Sequence, residues 1–157
     1  MQVRKVQDKD LNRVNKLLYQ VNNVHADGRP DLFIHDKKKY TDSELLELFK
    51  NDNRPIFVCV DDQDFVLGYA FCVLEAPEKN ENLVPHNSIY IDDICVDSDS
   101  RRMGVGTMLF EYVLEYAQKN GFDRITLNVW KLNEAAQCFY ESCGMNPLKV
   151  TMEKILY

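Results

Sequence analysis

Apolar and polar positions along this chain follow two rhythms, one of two residues and one of three to four. Gln2 to Val6 alternates weakly and predicts a first strand. Asp8 is a good helix cap, and Leu11, Val14, Leu17, Leu18 and Val21 then recur on one face of a helix that fades near Asn22-Asn23. Thr41-Asp42-Ser43-Glu44 has the form of a capping box opening a short helix with Leu45, Leu46, Leu48 and Phe49. Ile56 to Val60 predicts a strand, Asp61 to Asp64 a hairpin turn, and Phe65 to Leu74 the returning strand, in which Gly68 could mark a bulge. Glu75 to Asn87 is polar, holds Pro77 and Pro85, and reads as a surface loop before a central strand ending at Val96. Val105, Leu109, Tyr112, Val113 and Tyr116 share a helix face, and Gly121 is placed to end that helix. Ile125 to Trp130 predicts a strand, Asn133 to Ser142 a helix stopped by Gly144, and Lys149 to Leu156 a last strand. That order predicts an α/β fold, a mixed sheet with helices on its faces, in one domain over residues 1–157.

A formal net charge of −6 argues against a general nucleic-acid binder and is compatible with a cationic substrate. The five cysteines include no C-x-x-C pair, and Cys59, Cys72 and Cys95 lie in apolar runs. They read as small buried hydrophobes in a reducing, cytoplasmic setting, with no metal site and no membrane span expected.

The chemistry concentrates between Tyr90 and Thr107. Ile94-Cys95-Val96 is continuously apolar, as in a buried central strand, and Asp97-Ser98-Asp99-Ser100 is a polar turn. Arg101-Arg102-Met103-Gly104-Val105-Gly106-Thr107 then runs into a helix. Glycine lets backbone approach a ligand, a helix start offers unpaired N–H groups, and arginine suits phosphate. A plain structural turn would show the same residues. It is neither the dinucleotide fingerprint, with only two of the glycines, nor a Walker loop, with no Gly-Lys-Ser/Thr. A second unusual segment, His25 to Phe33, places His25, Arg29, Asp31 and Phe33 together around Gly28 and Pro30, as a wall for an acceptor or as a packing loop.

Asn133 to Met145 adds an Asn cap, an inward Ala136 and a Phe139-Tyr140 pair before Gly144. With Arg101, Gly104 and Gly106 in the first motif, and Asn133, Ala136, Phe139, Tyr140 and Gly144 in the second, the chain resembles the GNAT superfamily of N-acetyltransferases. Met145 stands where the family usually has Phe. The resemblance implies a mostly antiparallel sheet of six to seven strands, splayed at the central strand. It implies acetyl-CoA as donor, with coenzyme A as product, and a family in which dimers are frequent. Carried over by motif, the backbone of Ile94, Cys95 and Val96 would hold the pantetheine arm. Amides from Arg102 through Thr107, including those of Met103 and Val105, would hold the pyrophosphate. Asn133 would bond the cofactor near its pantetheine, and Tyr140 would face the sulfur.

Those residue types suit amine acetylation. Tyr140 is a general acid by its O–H, or alternatively a core aromatic. Asp92 and Asp93 interrupt an apolar strand, and one could take the amine's proton; the resemblance favours Asp92 as base and leaves Asp93 to order the acceptor side. Structural pairing is the alternative for both, and His25 is an outside candidate. The reading is therefore an N-acetyltransferase for a small amine or polyamine, with a protein N-terminus as another acceptor class. A non-catalytic acyl-CoA sensor and a phosphate-binding regulatory domain are its rivals.

Overall fold

A computed structural model describes residues 1–157. One five-stranded sheet runs in the order β1 (Gln2–Lys5), β2 (Ile56–Val60), β3 (Val66–Glu75), β4 (Ser88–Val96) and β5 (Arg124–Leu127). All pairs are antiparallel except β4–β5, which is parallel. The helices are α1 (Leu11–Gly28), α2 (Asp42–Phe49), α3 (Val105–Lys119) and α4 (Glu134–Ser142).

The two-residue period sorts the core into two layers. Ile56, Val58 and Val60 face α1 and α2 with Val14, Leu17, Leu45 and Phe49, while Phe57 and Cys59 face α3 with Leu109, Phe110 and Val113. Helices thus cover both faces, as the sequence implies.

Two bulges shape the sheet. On β3 the register jumps from Cys59↔Gly68 to Val60↔Val66, which leaves Leu67 as the extra residue beside Gly68. A Cβ on Gly68 would lie 2.8 Å from the Cys95 carbonyl oxygen, so the position is confined to glycine by the approach of β4. On β4 the register jumps from Phe71↔Asp93 to Cys72↔Ile91, which makes Asp92 the extra residue. Ile89 and Ile91 face the α3 layer, whereas Cys95, which would share that face in an unbroken strand, lies in the α1 layer. The bulge has switched the phase. Beyond it β4 also leaves β5, whose pairing ends at Ile91↔Leu127.

The structure corrects several expectations. There are five strands, not six to seven: Lys149 to Leu156 forms no strand, because no neighbouring strand of this chain pairs with it. The strand expected from Ile125 to Trp130 stops at Leu127, where β4 has turned away. Helix α1 does not fade at Asn22-Asn23 but continues to Gly28, with Ala26 fully buried as its last core contact. Asp8 lies in a 3-10 turn and does not cap α1; Asp10 is the buried acid there, accepting from Arg4 at 2.8 and 3.0 Å and from the Gln7 amide at 2.8 Å. The capping box of α2 is as read: the Glu44 amide donates to Thr41 Oγ1 at 3.2 Å and the Thr41 amide to Glu44 Oε2 at 2.7 Å.

Candidate functional site

The turn between β4 and α3 is built to leave backbone donors unused. Ser98–Ser100 is a short 3-10 turn, and the Ser100 amide donates to the Asp97 carbonyl at 2.9 Å. The next backbone donor with an acceptor in the chain is Met108, to the Gly104 carbonyl at 3.0 Å. Between them the amides of Arg101 to Thr107 donate to no backbone carbonyl and to no side chain. Arg102 (φ 64°) and Gly104 (φ 81°) hold the left-handed conformation that makes the turn, and Gly104 is the N-cap of α3. A Cβ on Gly104 would meet nothing, so its glycine answers to backbone conformation. Gly106 differs: its Cβ direction meets Phe139 at 3.4 Å and Val96 at 3.7 Å, which lets α4 pack against the start of α3.

The strand before this turn also has a free side. The Asp97 amide donates to the Leu67 carbonyl at 2.8 Å. Alternation along an antiparallel pair then gives β3 the backbone groups of Cys95 and Asp93 and turns those of Ile94 and Val96 outward. The Val96 carbonyl confirms the direction, since it accepts from Gln20 Nε2 at 3.0 Å rather than from a strand. Gln20 Oε1 in turn accepts from the Ser98 amide at 3.2 Å. Arg13 holds the same corner from two turns earlier on α1, pairing with Asp97 and donating to the Val66 carbonyl at 2.9 Å. Its guanidinium keeps the Asp97 carboxyl below the usual range. Cys95 is inward: buried, with its thiol against the Leu17 carbonyl and pushed up to about 12 by burial.

The acids of the bulge have different surroundings. Asp92 is mostly covered and pairs with the Lys39 ammonium at 2.8 Å. Burial pulls the Lys39 pKa down, but the hydrogen bond and charge of Asp92 outweigh it and leave the group raised. Asp93 accepts from the Tyr69 hydroxyl at 2.6 Å. Part of its outer surface is exposed, but protein encloses the carboxyl group, and this desolvation pushes it up to about 6. Tyr140, on α4, leans on Phe110 (6.3 Å between ring centroids) and Phe139 (5.1 Å). Burial, then the charge of Asp93, raises its hydroxyl well above the ordinary phenol range. Asn133 caps α4 by accepting from the Ala136 amide at 3.1 Å, which leaves its side-chain N–H groups as donors. Ala136 is half-buried beside it.

The segment expected as an acceptor wall is part helix, part loop. His25 lies in the last turns of α1, its pKa lowered by burial, and its ring is 5.0 Å from Phe33 and 6.4 Å from Trp130. Phe33 meets Trp130 edge-on at 5.5 Å. Arg29 and Asp31 are not free to meet a ligand: Arg29 holds Asp31 at 2.8 and 2.7 Å and Glu153 at 2.7 Å. Gln20, Lys39, Tyr69 and Trp130 escaped the sequence reading. Gln20 left one signal, a polar residue three positions after Leu17 on the buried face of α1.

Comparison with known proteins places this arrangement. The profile described as Acetyltransferase (GNAT) family matches residues 18–145. A crystal structure of a mutant BH1408 protein from Bacillus halodurans superposes with a TM-score of 0.95 at 29% identity, covering 100% of both chains. The "Probable N-acetyltransferase san" of Drosophila melanogaster is 35% identical over 82 residues, 52% of this chain and 41% of that protein. An aminoglycoside N-acetyltransferase in complex with CoA shares the fold, with a TM-score of 0.70 at 15% identity over 99% of this chain and 98% of that one. The chain aligns with about half or less of the length of the curated relatives it matches first.

Proposed function

The chain belongs to the GNAT acetyltransferase family, and we propose that it carries an acetyl group from acetyl-CoA to a primary amine by direct attack in a ternary complex. The preferred acceptor is a small cationic amine or polyamine, with a protein N-terminus as the other acceptor class. The observation that carries the reading is the run of backbone amides from Arg101 to Thr107 that donate to nothing in the chain. A diphosphate fits such a run, at the positive end of a 15-residue helix and flanked by exposed Arg101 and Arg102.

Ile94 and Val96 offer the outward edge of β4 to an extended, amide-bearing arm, as an added strand would use it. Cys95 contributes packing there rather than backbone donors. The Asn133 side-chain N–H groups are a further donor at the start of α4. When bound, acetyl-CoA supplies a thioester carbonyl open to attack by an amine.

The chain's own groups then handle charge and protons. Lys39 shows that Asp92 receives an ammonium, and an acceptor's ammonium would displace Lys39 and give its proton to Asp92. Asp93 stays fixed by Tyr69 and holds the bulge in shape. Tyr140 keeps its proton at neutral pH, because burial and Asp93 disfavour the phenolate, and is the donor to the departing sulfur. His25, Phe33 and Trp130 give the acceptor side an aromatic wall.

Release of free thiol from acetyl-CoA, measured against a panel of diamines, polyamines, amino sugars and N-terminal peptides, tests the proposal. Amine-dependent release is the expected result. Tight binding of acetyl-CoA without release for any amine would make the domain a sensor instead.

A further inference from the structure

Helix α1 meets the end of β4 through a polar stripe. Arg13, Leu17 and Gln20 recur at the spacing of one helix face. Arg13 ties Asp97 to the Val66 carbonyl at the start of β3, and the Leu17 carbonyl accepts from the Cys95 thiol at 3.6 Å. Gln20 reaches furthest. Its Nε2 donates to the Val96 carbonyl at 3.0 Å and lies 3.6 Å from the Cys95 sulfur, while its Oε1 accepts from the Ser98 amide at 3.2 Å. One half-buried side chain thus joins the last residue of β4 to the turn that follows, using both ends of its amide.

Those bonds mark the border of the free backbone on both sides. The Ser98 amide is taken by Gln20, that of Asp99 by the Asp97 carboxylate at 3.1 Å, and that of Ser100 by the Asp97 carbonyl at 2.9 Å. Every amide from 98 to 100 has an acceptor in the chain, and none from 101 to 107 does. On the strand side, Gln20 occupies the Val96 carbonyl, the last outward acceptor of β4. The edge open to an added strand therefore ends at the Val96 amide, and the free turn opens at Arg101.

Resting on the acetyl-CoA reading above, we infer that Gln20 is a positioning residue for the donor, fixing the β4 edge against the anion turn at the spacing of an amide-bearing arm joined to a diphosphate. Gln20 belongs to neither half-site and acts through Val96 and Ser98. Two half-sites held at the right spacing bind a joined ligand far more tightly than either part, and slack between them removes that gain without weakening either. Gln20→Met keeps the length and the helix preference of the side chain and removes its bonds to Val96 and Ser98.

Amide-resolved NMR titrations of the full chain with coenzyme A, pantetheine and ADP test this. Gln20→Met should raise the dissociation constant of coenzyme A about tenfold and leave those of pantetheine and ADP within about twofold. Should methionine disturb α1, Gln20→Glu supplies the same comparison: it keeps an acceptor for Ser98 and loses the donor to Val96. Its carboxylate acts on coenzyme A and ADP alike, so the ratio of their affinities should still fall. Equal weakening of coenzyme A and ADP by both variants would overturn the inference and make Gln20 a support of the turn alone, and an unchanged coenzyme A affinity would overturn it as well. Wild-type protein whose residues 101–107 do not respond to coenzyme A would remove the donor site itself, and this role of Gln20 with it.

Discussion

Gly104 separates backbone geometry from folding. Its φ of 81° lies in the left-handed region, and a Cβ there would touch no other atom. Gly104→Ala therefore adds no clash, and its cost is conformational, about 1–2 kcal/mol for an L residue held left-handed. In a chain of 157 residues that lowers the melting temperature by roughly 2–8 °C, taking about 2–4 °C per kcal/mol. The turn has a second way out, relaxing toward negative φ, which re-aims the amides on either side of Gly104. A hydrogen bond to a charged group contributes about 1.5–3 kcal/mol, so losing the aim of one or two amides weakens anion binding by about tenfold to about ten-thousandfold at 1.4 kcal/mol per tenfold. Titration calorimetry with coenzyme A beside differential scanning calorimetry reads both quantities. The expected outcome is a folded variant with a small thermal loss and at least tenfold weaker coenzyme A. A lowered melting temperature with unchanged coenzyme A affinity would remove the turn from the binding site.

Tyr140→Phe should lower turnover about 100-fold while leaving the acetyl-CoA dissociation constant within twofold; equal loss of both would show that the ring is architectural. Asp93→Asn addresses a carboxyl raised to about 6. Because the unfolded chain ionises Asp93 near its ordinary value, the folded state binds more protons between about pH 4 and 6. Wild-type stability therefore falls over that window, by on the order of 2–3 kcal/mol, and stays flat above it. Asn, which can still accept from Tyr69, should remove that slope, as urea unfolding at several pH values would reveal; a parallel slope in the variant would mean that Asp93 is not the group titrating. Lys39→Met should lower the Michaelis constant for cationic amines by emptying Asp92 of its internal partner, with stability changed by less than about 1 kcal/mol because the lysine is largely exposed. An unchanged constant would reduce the pair to a surface contact.

Much of this fold was legible because the apolar periods are long and their punctuation is clear. The Thr41 capping box and Gly121 fall where the sequence puts them, and the hairpin turn at Asp61–Asp64 is closed by Asp64 at φ 63°. What escaped depends on partners distant in sequence. The end of β5 is set by a bulge in β4, and no pattern within Ile125 to Trp130 records it. Asn22 and Asn23 argue locally for a helix end, but Ala26 finds a buried place that carries α1 one more turn and more. Lys149 to Leu156 alternates as a strand would, yet no strand pairs with it and it forms none. At the site, the glycine turn and the Asp pair were visible as motifs. The division of labour between Asp92 and Asp93 was not, since Lys39 and Tyr69 reach them across 53 and 24 positions.

The central claim is that the amides after β4 are an anion cradle, and amide-resolved NMR tests it most directly. Titrating coenzyme A into the isotope-labelled protein should shift the amide signals of Arg101 to Thr107 together with those of Ile94 and Val96, saturating along one binding curve. Shifts confined to another surface, with the signals of residues 101–107 unmoved at saturation, would contradict the account.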